Sequence, residues 1–257
     1  MNYFHALILG IIEGLTEFLP VSSTFHLIIT SKILGLASSD FIKMFEVVIQ
    51  SGAIFALVFI YLKTLFSNKK LFINVMSSFV PTAIVGFVLH KIIKTIFFES
   101  NILMLGMFVG IGLLFLLVEK LNLNLSKNIE SLTIKQAIMI GLAQSLSVIP
   151  GVSRAGSVIV AMMLMGYKRN ESAKYTFLLS LPTIFAASAL DLYQNRELLI
   201  SLQNGYLLIL VGFVVSLIVA YLVVKWFLQY LSNHTLAIFG WYRLIMALIL
   251  VIFKVLP

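Results

Sequence analysis

Residues 6–35 read ALILGIIEGLTEFLPVSSTFHLIITSKILG, and residues 137–166 read AIMIGLAQSLSVIPGVSRAGSVIVAMMLMG. Both stretches are apolar, and a polar loop containing proline breaks each near its middle. The halves are about 13 residues long, whereas a helix needs about 20 to cross a bilayer. This predicts re-entrant helix–loop–helix hairpins that dip into the membrane and return. Such a loop survives at depth only when buried in protein or lining a wet cavity. A shift of 131 positions lays one stretch on the other without a gap, so that Ala6 meets Ala137, Gly10 meets Gly141, Leu15 meets Leu146, Val21 meets Val152, Ser22 meets Ser153 and Gly35 meets Gly166. Glu13 meets Gln144.

Six other apolar runs are long enough to span: 44–62, 71–90, 102–118, 175–192, 206–224 and 236–256. Three follow each hairpin, and an odd number of crossings sets the second copy upside down relative to the first. The expected fold is an all-α polytopic membrane protein of six transmembrane helices and two re-entrant hairpins in an inverted-topology repeat. It forms one membrane domain over 1–257, with repeats at 1–120 and 131–257. The site is expected where the broken hairpins meet near the midplane.

Composition agrees. Hydrophobic residues make up 61% of 257 positions and charged residues 11%, against about 25% charged in a soluble domain. With so little polar surface the bilayer must solvate most of the chain. Cysteine is absent, which excludes disulfides, thiolate chemistry and zinc cages of Cys type. The net charge of +8 sits at the ends of apolar runs, where it sets topology and attracts anionic lipid; nucleic acid is not expected. Glu13 and Glu17 interrupt the first apolar stretch, so no cleavable signal is read there. On the side of the N-terminus lie Lys32, Lys43, Lys91, Lys94, Arg196 and Lys254. The other side holds Lys63, Lys69, Lys70, Lys120, Lys127, Lys135, Lys168, Arg169, Lys174 and Lys225. This majority predicts that the second side is cytoplasmic and that both termini face out.

Ionisable groups at membrane depth cost about 2.5–3.5 kcal/mol each on insertion scales, so each calls for a reason. Glu13 and Glu17 are four apart on one helical face, where like charges repel. A bound cation, a shared proton or an opposing Arg would relieve them, and oxygen ligands suit Mg²⁺ or Ca²⁺. The plainer alternative is one protonated Glu in a hydrogen-bonded core. Ser22, Ser23 and Thr24 open the second half-helix. Singly they are ordinary N-caps; together with free N–H groups and the helix dipole they form an anion site. His26 is either a satisfied core residue or a base within reach of Ser23 and Glu17. In the second loop Ser153 precedes Arg154, a permanent charge whose planar fork suits phosphate or a structural salt bridge to Glu13 or Glu17. Two acids, hydroxyls, a His and an Arg converging from two halves suit phosphoryl transfer from a diphosphate with a lipid tail.

EGLTEFLPVSSTFH (13–26) resembles the first signature of the undecaprenyl-diphosphate phosphatases, the bacitracin-resistance family, and PGVSRAG (150–156) resembles the second. FEVVIQSGAI (45–54) and Trp241-Tyr242-Arg243 are also similar, and the likeness covers essentially the whole chain. The resemblance implies an enzyme of the bacterial inner membrane. It would remove the terminal phosphate of undecaprenyl diphosphate with a divalent cation, at a site open to the periplasm or exterior. Catalytic positions carry over as Glu13, Glu17, Ser23, His26 and Arg154, with Ser22, Thr24 and Ser153 beside them on the phosphates and Glu13 and Glu17 at the metal. The expected partners are the polyprenyl diphosphate and the bilayer, with a homodimer open as an assembly. Phe25 stands where the family has Gly, Ala155 where it has Ser, and Val158 where it has Thr; Ser157 is a candidate to replace one lost hydroxyl. The competing reading is a polyprenyl-phosphate transporter or flippase, since inverted repeats with broken helices are a transporter design.

Overall fold

In the computed structural model, residues 1–37, 39–92, 100–194, 196 and 205–255 are described. Lys94 and the last residue of the run 236–256 lie outside them. The described chain is helical, without a strand beyond one isolated bridge between Lys127 and Tyr167. Ten α-helices follow in order: α1 Tyr3–Thr16, α2 Ser23–Ile33, α3 Asp40–Ser67, α4 Lys69–Ile92, α5 Asn101–Lys120, α6 Ile134–Ser145, α7 Arg154–Leu164, α8 Arg169–Gln194, α9 Gly205–Asn233 and α10 Ala237–Ile252.

Five of these, α3, α4, α5, α8 and α9, are long and apolar enough to cross a membrane. Pro81 and Pro182 lie inside α4 and α8, as spanning helices tolerate. The sixth expected run forms α10, which has only 16 residues. At 1.5 Å per residue that is about 24 Å, short of the roughly 30 Å hydrocarbon core. α1, α2, α6 and α7 have 14, 11, 12 and 11 residues, so neither 6–35 nor 137–166 is a continuous crossing helix.

Local chemistry sets these boundaries. Asn2 caps α1 and Thr133 caps α6, each in a capping box; Ser39 and Ser100 cap α3 and α5. Helices α2 and α7 open on Ser22 and Ser153, with φ of 68° and 67°. A non-glycine residue at positive φ is uncommon and is kept only where the surroundings impose it. The same helices end at Gly35 and Gly166, again at positive φ, the left-handed turn in which a Cβ is a burden. All four positions obey the 131-residue shift.

Packing follows the same exchange. α1 lies along α9 and α6 lies along α4, while α3 meets α8 and α5 meets α10. Small residues let these backbones approach. A Cβ on Gly10 would stand 2.7 Å from the Gly212 carbonyl oxygen, and one on Gly141 would stand 2.1 Å from that of Ser78. In lipid, such close contact and interhelical hydrogen bonds hold helices together in place of the hydrophobic effect. Ser78 donates to the Ala137 carbonyl at 2.6 Å and Thr82 to that of Gly141 at 3.0 Å. Arg169 grips Glu119 with two nitrogens, and Glu119 also accepts from the Leu236 N–H, clasping the ends of α5, α8 and α10.

Candidate active site

The broken loops, 17–22 and 149–153, face a common cleft of about 180 Å³, below the roughly 300–1,000 Å³ of sites that enclose a whole small molecule. Glu17, Ser22, Ser23, Thr24, Ser153 and Arg154 line it, together with Gln50, Ser147 and Thr183.

Glu17 joins the halves. One carboxylate oxygen accepts from the Ser23 hydroxyl and the other pairs with the Arg154 guanidinium. The Ser23 hydroxyl therefore meets a carboxylate, as a nucleophile awaiting deprotonation does. Glu13, one turn earlier on α1, is fully buried beside Glu17, the one group close enough to share a proton with it, and no N–H or hydroxyl donor among the described residues reaches either of its oxygens. Its shift-related mate Gln144 is tied instead, donating to Thr82 at 3.0 Å and Thr183 at 3.2 Å.

The N-terminus of α2 is open. Ser22 makes no side-chain cap bond, which leaves the first N–H groups and the hydroxyls of Ser22 and Thr24 for an anion. Ser153, by contrast, accepts from the Gly156 N–H and closes its own helix.

His26 is placed differently from the expected base. Its Nδ1 lies 2.8 Å from the Ser22 carbonyl oxygen and its Nε2 2.7 Å from the Tyr242 hydroxyl, and its ring stacks on Tyr242. Both ring nitrogens are thus engaged away from Ser23 and Glu17. Phe25 packs flat on Phe108, with centroids 3.9 Å apart, and the positive φ of this loop falls on Ser22 rather than at position 25. Ala155 and Val158 are buried in the protein. Ser157 spends its hydroxyl on the Arg154 carbonyl and replaces neither lost group. The sequence reading does not single out Gln50, Ser147 or Thr183 as site residues, although Gln50 lies in FEVVIQSGAI and Ser147 in the stretch 137–166.

A family model described as "Bacitracin resistance protein BacA" matches residues 6–249. The chain belongs to the BacA family. A relative in Campylobacter fetus, 42% identical over 98% of this chain and 99% of its own length, is named undecaprenyl-diphosphatase. BacA-family relatives of the same name in Aquifex aeolicus and Wolinella succinogenes are 41% and 44% identical, each over 97% of both chains. Together with the five long apolar helices, membership makes this a multi-pass membrane protein.

Proposed function

We propose that the protein hydrolyses undecaprenyl diphosphate to undecaprenyl phosphate and inorganic phosphate. This recycles the carrier lipid for peptidoglycan synthesis and confers resistance to bacitracin. The observation that carries the reading is Glu17, which holds a nucleophilic hydroxyl from one hairpin and an anion-binding guanidinium from the other on a single carboxylate. A flippase would need Arg154 but has no use for a serine hydroxyl held on a carboxylate.

The terminal phosphate docks on Arg154 and on the open N-terminus of α2, with Ser22 and Thr24 donating. Glu17 takes the Ser23 proton as Oγ attacks phosphorus. The bond from phosphorus to the bridging oxygen breaks, and undecaprenyl phosphate leaves. Water then hydrolyses the phosphoserine, with Glu17 returning its proton. His26, held by Ser22 and Tyr242, shapes the wall of the same loop. Attack by His26 on phosphorus is the rival route, and it requires the Tyr242 bond to open.

The residues fit a hard divalent cation, Mg²⁺ or Ca²⁺. The unpartnered oxygens of Glu13, with Glu17 beside them, are donors of the right type. Among the described residues no group of three His, Cys, Asp or Glu could hold a metal, so Glu13 and Glu17 would hold the ion only together with the substrate. When bound, the ion supplies neutralisation of diphosphate charge.

The membrane arrangement we infer is six crossings, the sixth by α10 with its short length met by local thinning of the bilayer, and two re-entrant hairpins, repeats at 1–120 and 131–257, in the bacterial plasma membrane with the site open to the exterior. Its support is the matched backbone at Ser22 and Ser153 and the exchanged packing of α1 on α9 and α6 on α4. A homodimer is the assembly to test, by cross-linking in native membranes. The deciding assay for function is phosphate release from a polyprenyl diphosphate by purified protein. Excess chelator should stop it and added Mg²⁺ or Ca²⁺ restore it. No release under any metal would overturn the reading, and full release in chelator would remove the cation from it.

A further inference from the structure

Arg243, on α10, is wholly buried. An unpaired buried cation is among the costliest groups a protein can carry; Nε and Nη1 of this one go to main-chain carbonyls rather than to a carboxylate, and Nη2 has no hydrogen-bond partner among the described residues. Nε donates to the Pro20 carbonyl at 2.9 Å, and Nη1 donates to Gly151 at 2.9 Å and Phe108 at 3.2 Å. The guanidinium also sits over the rings of Phe108 and Phe115, at 4.7 and 5.3 Å from their centroids. Its bonds to the two hairpins fall at equivalent distances from the chemistry. Pro20 is three residues from both Glu17 and Ser23, and Gly151 is three residues before Arg154. The preceding residue on α10, Tyr242, holds His26. One turn of α10 thus touches both loops and the histidine.

We propose that Arg243 is a positioning residue, a single buried guanidinium that fixes the spacing of the two broken loops and so aligns Ser23 and Glu17 with Arg154. This rests on the phosphatase reading of that site. The planar fork is what the role requires, because it offers several donors in fixed directions. A lysine ammonium would have to choose among the carbonyls. Close approach of α10 to α5 at Gly112 and Gly240 allows the charge to sit this deep.

The test uses the full-length protein in detergent or nanodiscs, with Arg243→Met, which keeps a chain of similar length between Phe108 and Phe115, and Arg243→Lys, which keeps the charge. Hydrogen exchange is followed on peptides covering 17–22 and 149–153 and on α3 and α8, alongside phosphate release from a polyprenyl diphosphate. Exchange should rise in both loops together while α3 and α8 keep the parent rate. A misalignment of about 1 Å costs about 10²-fold, so kcat should fall by that order with KM changed little, and Lys should lie between parent and Met. Where Arg243→Met does not accumulate, Arg243→Lys gives the same loop signature. Parent exchange rates in either loop, or a rise spread evenly over α3 and α8, would overturn the proposal. A parent protein that releases no phosphate would sink the phosphatase reading alone, and the exchange data would still decide whether Arg243 couples the loops.

Discussion

Replacing Glu17 by Gln keeps the shape of the side chain and removes one acceptor. Glu17 uses both oxygens, one for Arg154 and one for Ser23; an amide has a single oxygen. If that oxygen faces Ser23, the NH₂ group confronts the guanidinium, donor against donor, so the oxygen turns to Arg154. Ser23 is then left beside an NH₂ group, with no acceptor for its proton. Loss of a general base costs about 10²–10⁴-fold, or roughly 2.7–5.4 kcal/mol at about 1.36 kcal/mol per decade. The effect on binding has the opposite sign. Arg154 no longer shares its charge with a carboxylate, so KM should hold or fall. Breaking a fully buried ion pair costs about 3–5 kcal/mol, but Arg154 lines the cleft with 12% of its side chain exposed, where water solvates the freed charge, and the stability loss should be smaller. Steady-state phosphate release at saturating and limiting polyprenyl diphosphate separates the terms. A kcat within tenfold of the parent, or a raised KM at unchanged kcat, would show that Glu17 binds substrate rather than taking the proton.

Arg154→Lys should lower kcat by about 10²–10³-fold, the scale of losing one good transition-state donor, because the fork is lost; near-normal phosphate release would remove Arg154 from the clamp. Gly141→Ala should destabilise by about 1–3 kcal/mol, as overpacking does, since the new Cβ meets the Ser78 carbonyl at 2.1 Å. An unchanged melting curve in detergent would contradict the packing of α6 on α4. A reporter fused to the C-terminus should read as external, and a cytoplasmic signal would reverse the topology.

The sequence was most informative where physics makes residues conspicuous. Glu13, Glu17 and Arg154 stand out because charge is expensive in an apolar run, and the paired hairpins stand out because proline and polar loops interrupt half-length segments. The meeting of Glu17 with Arg154 was foreseeable as one of two alternatives, a salt bridge or a phosphate clamp. The partners of His26 were not, since Tyr242 lies 216 positions away and nothing local marks it as a ring-stacking hydroxyl. Arg243 belongs to the Trp241-Tyr242-Arg243 likeness, but its contacts are not legible in sequence because its acceptors are backbone carbonyls, which any residue provides. The run 236–256 was long enough on hydropathy, but Lys254 turns to positive φ just past α10, and hydropathy carries no backbone angle. Phe25 looked like an intrusion on a flexible position. Its ring instead fills a cluster with Ile29, Met104, Phe108, Ala247 and Leu250.

The matched loops also bear on vectorial chemistry. A scaffold whose halves share backbone angles at Ser22 and Ser153 would, with matching side chains, present two interchangeable mouths. The pair Glu13 and Gln144 breaks that equivalence: the acid carries two oxygens that no described donor reaches, whereas the amide keeps one such oxygen and spends its NH₂ on Thr82 and Thr183. The near-symmetric frame thereby acquires a front and a back, one bearing the acid and the other the amide.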